Sequence, residues 1–217
     1  MTYLPPPDTG LDLVFADAHL VVVNKPAGLL SVPGRGEHKA DCMLARVAKD
    51  FPDAMTVHRL DMDTSGLLVF GRGPEMQRAL SILFMDRHVD KRYVALVEGN
   101  LAHDSGSIDL PLNVDWPNRP KHRVDFEEGK PSLTRFEKLG FDADLDASRV
   151  ALEPVTGRSH QLRVHLLAIG HPILGDTLYA TPAGLAKSPR LCLHAEFLAL
   201  PHPVSGERLE WLRAAPF

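Results

Sequence analysis

Apolar positions along this chain fall into short runs of two kinds, and they predict the elements. Leu13-Val14-Phe15-Ala16 and Leu20-Val21-Val22-Val23-Asn24 read as a strand pair joined by a turn at Asp17-Ala18-His19. Lys25-Pro26-Ala27-Gly28 then breaks the pattern, because Pro removes a ladder donor and Gly frees the backbone. Met43, Leu44, Val47 and Ala48 recur at helical spacing within 40–51. A second helix is predicted over 74–88, with Pro in its first turn and Met76, Ala79, Leu80 and Leu83 along one face. Leu67-Leu68-Val69-Phe70 and 93–97 read as strands, and 133–139 and 149–155 have β-type content with weak alternation. The pattern predicts a third helix over 160–169, stopped by Gly170 and Pro172, and 191–200 with 209–212 finish the sheet.

Strands and helices are interspersed without the regular alternation of a doubly wound parallel sheet. The expected class is therefore α+β, a single domain with a largely antiparallel or mixed central β-sheet flanked by helices and loops. Residues 1–10 read as a Pro-rich arm and 11–217 as one domain, since no repeat, low-complexity linker or composition shift marks a boundary.

A chain of 217 residues with 44% apolar content can form a full core without staples. Cys42 and Cys192 each lie in an apolar-rich segment and are expected as buried free thiols of a reducing cytosol. The start, Met1 to Pro7, has neither a basic region nor an apolar core, and no apolar run approaches a membrane span, so a cytoplasmic protein is expected. A net charge of −4 argues mildly against nucleic acid, but its distribution matters more. Trp116-Pro117-Asn118-Arg119-Pro120-Lys121-His122-Arg123 holds three cations, a His and an indole with no acid, and Arg158, His160 and Arg163 cluster again. A solvated basic loop accounts for that charge as well as a nucleic-acid contact does.

His58-Arg59-Leu60-Asp61-Met62-Asp63-Thr64-Ser65-Gly66 places a carboxylate on a turn just ahead of a buried strand, where an active-site acid can be both fixed and exposed. Calcium is rejected for the same segment: it opens like an EF-hand loop, yet its twelfth position is Arg72, a cation where the metal needs a bidentate Glu. His160, His165 and His171 are wrongly spaced for a helical zinc pair and read as hydrogen-bonding or surface residues. A serine hydrolase would need Gly-x-Ser-x-Gly, and Gly157-Arg158-Ser159-His160-Gln161 lacks the second Gly. No Gly-rich phosphate loop occurs. By elimination, chemistry here uses carboxylate, Arg and Tyr, with no metal and no cofactor.

Three segments, in this order, resemble the motifs of the RluA family of pseudouridine synthases. The first is Asn24-Lys25-Pro26-Ala27-Gly28-Leu29-Leu30-Ser31-Val32-Pro33-Gly34, and the second is the Asp61 turn with Lys91-Arg92-Tyr93 downstream. The third is Gly157-Arg158-Ser159-His160-Gln161-Leu162-Arg163-Val164-His165, followed by Gly170-His171-Pro172-Ile173-Leu174-Gly175-Asp176 and Arg190-Leu191-Cys192-Leu193-His194-Ala195. The resemblance covers nearly the whole chain. It is strongest to short members without an N-terminal S4 RNA-binding domain, which modify both 23S rRNA and a tRNA anticodon stem-loop; the run from Trp116 to Lys121 is similar to theirs. It implies the pseudouridine synthase fold with an RNA-binding cleft across the sheet, an RNA-uridine isomerase without cofactor, RNA as the partner and a monomer by default. A non-catalytic RNA-binding or chaperone protein on the same fold is the alternative. Mere binding needs no joint set of Asp61, Tyr93 and Arg163, which favours the enzyme.

The resemblance also implies roles. Asp61 matches the essential catalytic aspartate, acting either by attack on the sugar or by taking a ribose proton. Arg163 resembles the family's partner arginine, the cation that a buried carboxylate requires. Tyr93 resembles the tyrosine that stacks on uracil and receives the C5 proton; its plain reading is a strand aromatic in the core. Arg59 matches the residue expected to fill the space of an extruded nucleotide, with a phosphate or surface role as its ordinary reading. Leu60, Leu191 and Leu193 wall the pocket or simply pack the core. Lys25, Arg119, Lys121, Arg158 and His160 are expected to hold phosphates and RNA shape.

Overall fold

The computed structural model describes residues 3–217. Its elements begin with β1 (Leu13–Ala16), β2 (Leu20–Lys25), α1 (Met43–Asp50), β3 (Ala54–Thr56), β4 (Ser65–Arg72), α2 (Gly73–Met85), β5 (Asp90–Glu98) and β6 (Ser105–Asp109). They continue with β7 (Leu112–Val114), β8 (His122–Val124), β9 (Leu133–Asp142), β10 (Ala147–Pro154), α3 (Gln161–Ala168), α4 (Pro182–Ala186), β11 (Leu193–Pro201) and β12 (Arg208–Leu212). This is the expected α+β class with largely antiparallel pairing. The backbone gathers into two compact units, one of residues up to Lys91 with 195–216, the other of 92–194 with Phe217. The first unit is discontinuous in sequence.

In the first unit the strand order is β1-β2-β4-β11, with β3 beside β4 and β12 beside β11. Every β4 residue from Ser65 to Gly71 is buried. A strand covered on both faces needs an unbroken apolar run rather than alternation, which is why Leu67-Leu68-Val69-Phe70 forms it. At Gly66 the backbone has φ 118°, and a Cβ would run into the Ala195 backbone. Only glycine lets β11 approach β4 there. Leu20, Val22, Leu67, Val69, Leu80, Leu198 and Leu200 form the core, closed by Trp211. Each such side chain contributes roughly 1.5–3 kcal/mol on burial.

Helix α1 starts at Met43 rather than near Ala40, because Cys42 is extended and its Sγ accepts the Ala45 N–H at 3.4 Å as an N-cap. Pro74 opens α2 as predicted, and the helix ends at Met85. Met1 and Thr2, part of the expected arm and of the segment read for a leader, lie outside the described residues. From Tyr3 onward the arm is tied down. The Tyr3 hydroxyl donates to the Asp41 carbonyl at 2.9 Å and accepts the Leu30 N–H at 3.1 Å, while Arg46 donates to the Pro6 carbonyl at 2.6 Å.

In the second unit the order is β5-β10-β9-β6. Val97, Val150, Leu152, Leu162, Leu166, Ile173 and Leu174 lie at the heart of its core. Strand β6 went unpredicted because only Ile108 of Ser105–Asp109 is buried, so it has no periodic signal. The basic run around 116–123 is the tip of a β7–β8 hairpin rather than an open loop. A 3-10 turn at Trp116–Asn118 and the bonds Asp115 N–H to Lys121 O and Lys121 N–H to Asn118 O close it. Both cysteines are buried free thiols, as expected. No helix of the described residues is long and apolar enough to cross a membrane.

Candidate active site

Asp61 opens a turn of the first unit, closed by the Thr64 N–H donating to the Asp61 carbonyl at 3.2 Å. The carboxylate residue is half-buried, between exposed Arg59 and Met62. Two devices hold the backbone on either side. Ser31, itself buried, donates its hydroxyl to the Leu60 carbonyl at 2.7 Å and accepts the Leu60 N–H at 3.0 Å. Lys25 sends its Nζ to the carbonyls of Pro26, Leu29 and Met62 at 2.8, 2.6 and 2.9 Å. The turn is thereby bonded to the 25–31 segment on both flanks of Asp61. This corrects the expectation of a phosphate contact at Lys25. Its side chain is fully buried, and a buried ammonium must be satisfied by fixed acceptors.

His58, at the head of the turn, stacks on Phe84 at 4.4 Å between centroids, and its Nε2 accepts the Val69 N–H at 3.1 Å. Burial, reinforced by the nearby Lys91 charge, pushes its pKa down to about 3. The imidazole is neutral at physiological pH and serves as a fixed acceptor that anchors the turn to β4.

In the second unit, Arg163 of α3 is 3% exposed and grips Asp176 bidentately, Nε to Oδ2 at 2.8 Å and Nη2 to Oδ1 at 2.7 Å. Asp176 also accepts the N–H groups of Leu178 and Tyr179, and the Tyr179 ring lies 5.1 Å from the guanidinium. A bidentate pair fixes the plane of the guanidinium as well as its position. The Tyr179 hydroxyl accepts the His122 N–H at 2.8 Å and meets His160 Nδ1 at 2.7 Å, joining β8 to the start of α3. His160 itself sits at φ 55° as the residue before the helix.

The remaining expected residues are placed as follows. Tyr93 is half-buried on β5, opposite Leu152, at the margin of the core. Leu191 and Leu193 are buried in the same core, and Leu60 is buried in the first unit. Arg59, Arg119 and Arg158 are exposed, and Lys121 is half-buried with its Nζ 6.0 Å from the Tyr179 ring centroid. Of the three histidines weighed as metal ligands, His165 is enclosed between Thr134 and the Leu110 carbonyl, and His171 bonds the Glu98 carbonyl. Sequence reasoning missed Ser31, Asp176 and Tyr179. An Asp followed by residues whose N–H groups turn back to it was a usable signal for Asp176. Nothing local marked Ser31, whose partner is 29 residues away.

The chain is similar to known proteins over most of its length. The family model described as RNA pseudouridylate synthase matches residues 19–168. The chain is 49% identical over 215 residues to the dual-specificity RNA pseudouridine synthase RluA of Escherichia coli (strain K12), covering 99% of this chain and 98% of that protein. It is 50% identical over 211 residues to the protein of the same name from Pasteurella multocida (strain Pm70), covering 97% and 96%. Among solved structures, the human RNA pseudouridylate synthase domain containing 1 matches with a TM-score of 0.82 at 30% identity, over 99% of this chain and 87% of that one. The chain belongs to the RNA pseudouridylate synthase family, enzymes that isomerise uridine in RNA to pseudouridine.

Proposed function

We propose that Asp61 is the acting carboxylate of the isomerisation and that stem-loops of 23S rRNA and tRNA are its substrates. The observation that carries the assignment is the construction of its turn: a half-buried carboxylate whose neighbours Leu60 and Met62 are bonded in place by Ser31 and Lys25. The reaction breaks the N1–C1′ bond, turns the base and forms C5–C1′, with C5 losing a proton and N1 gaining one. Nothing is oxidised or hydrolysed, so side chains suffice. Asp61 acts by attack on the sugar or by taking a ribose proton. Tyr93 stacks on the uracil and receives the C5 proton, and Arg163 supplies the buried positive charge that an ionised carboxylate needs. Arg59 fills the space left by the extruded nucleotide, offsetting an unstacking cost of a few kcal/mol. Leu60, Leu191 and Leu193 line the pocket; Arg119, Lys121, Arg158 and His160 position the RNA. The name shared by the bacterial relatives supports two substrate classes. The protein acts as a monomer in the cytoplasm.

Release of tritium from C5-tritiated stem-loop RNA tests the assignment. Asp61→Asn is expected to abolish release while RNA affinity falls little. Appreciable release from that variant removes Asp61 from its role.

A further inference from the structure

We infer that Trp116 is a stacking platform for an unpaired nucleobase of the RNA, a binding element separate from the phosphate contacts around it. The inference rests on the RNA-binding reading above. Trp116 is 65% exposed at the tip of the β7–β8 hairpin, whereas the chain's other tryptophan, Trp211, is buried against Phe15. An indole is costly to leave in water, and it is held there rather than folded back.

The tip is built to keep the ring in place. Asn118 donates its N–H to the Asp115 carbonyl and its side-chain amide to the Asp115 carboxylate at 2.9 Å. The Arg119 guanidinium lies 4.4 Å from the indole centroid and backs one face. Exposure of 65% with that face covered leaves ring surface for a second planar partner. A cation behind an aromatic ring restricts its motion, so a base docking on the ring loses less freedom than on a mobile side chain.

The electrostatics favour a nucleic acid over an apolar partner. Arg119 lies against the ring, Lys121 and Arg123 belong to the same hairpin, and Asp115 and Asp125 are engaged within it. Asp115 takes the Asn118 amide; Asp125 takes the Glu127 and Glu128 N–H groups and Arg123. A planar ring among cations is the composition that binds single-stranded bases without reading their identity.

Indole fluorescence and affinity together provide the test, with the full-length protein and a synthetic stem-loop carrying an unpaired loop. Saturating RNA is expected to quench the emission of the exposed indole. Trp116→Leu, which keeps apolar bulk but has no ring, is expected to bind about 5- to 100-fold more weakly, with the dependence of affinity on salt unchanged. Trp116→Phe is expected to recover most of the loss. Unchanged emission at saturation, or equal affinity of the Leu and wild-type proteins, overturns the inference while leaving RNA binding intact. Equal loss in Leu and Phe variants also overturns it, since packing rather than stacking then explains the residue. Failure of the wild-type protein to bind any stem-loop overturns the RNA reading itself.

Discussion

At the scale of single residues, Asp176 does for Arg163 what Ser31 and Lys25 do for the Asp61 turn: it removes freedom from a group proposed to act. Both members of the Arg163–Asp176 pair are almost wholly out of water, at 3% and 0% side-chain exposure. Removing one partner of such a pair deprives a buried charge of its bidentate counterion, at a cost of about 3–5 kcal/mol. Asp176→Ala is therefore expected to lower stability by that amount, measured by urea unfolding. Asp176→Asn, which keeps a side-chain oxygen to accept the Leu178 and Tyr179 N–H groups, is expected to fold better yet show kcat reduced more than KM. His58 yields a prediction of a different kind. Its folded pKa of about 3 lies below the ordinary 6.5, so the unfolded chain takes up a proton that the folded chain refuses. Its contribution is neutral above pH 6.5 and destabilising below, growing by about 1.4 kcal/mol per pH unit until the folded pKa is reached. His165, lowered mainly by burial, acts in the same direction. His58→Gln is expected to flatten the fall of stability between pH 6 and about 4; an unchanged slope would assign that acid sensitivity to other groups.

At the scale of elements, the Asp61 turn is a loop given the rigidity of a strand. β4 is buried from Ser65 to Gly71 and fixed to β2 in register from Leu20↔Gly71 to Lys25↔Gly66, so the same pairing that anchors the strand also places Lys25 beneath the turn. Ser31→Ala deletes a hydroxyl that bonds both backbone groups of Leu60 in a buried setting. The expected loss is about 1–3 kcal/mol of stability together with a fall in kcat, because the residue before Asp61 is released. A variant that loses the stability but retains full turnover would show that the turn holds its shape without this clamp. The β7–β8 hairpin is a second case of an element legible only in part. Its charge and indole are plain in the sequence. Strands of three residues give no periodicity, and their pairing is set by the chain folding back from Val114 to His122.

At the scale of the whole molecule, a chain of net charge −4 must bind a polyanion through local patches. Arg119→Ala and Lys121→Ala are each expected to weaken RNA binding and to reduce the slope of log affinity against log salt by about one. Titrations at several salt concentrations measure this, and an unchanged slope in both variants would move the RNA path elsewhere. Most of the architecture could be read from the sequence, because long buried runs such as Val21-Val22-Val23 and Leu67-Leu68-Val69-Phe70 have one physical use. The two compact units could not. Their division depends on residues 195–216 returning to join the first, a pairing between segments far apart in the chain.

The sequence by itself determined the fold class, the β1–β2 pair, the longer strands, helices α1 to α3, and the candidacy of Asp61, since these follow from local periodicity, turn chemistry and an ordered set of motifs. Tertiary structure alone decided that Lys25 is an internal clamp rather than a phosphate ligand, that Ser31 holds Leu60, and that Arg163 is oriented by Asp176. The reason is common to all three. Each depends on which polar atoms meet once water is excluded, and an ammonium or hydroxyl has the same letter in the sequence whether it faces a carbonyl or the solvent.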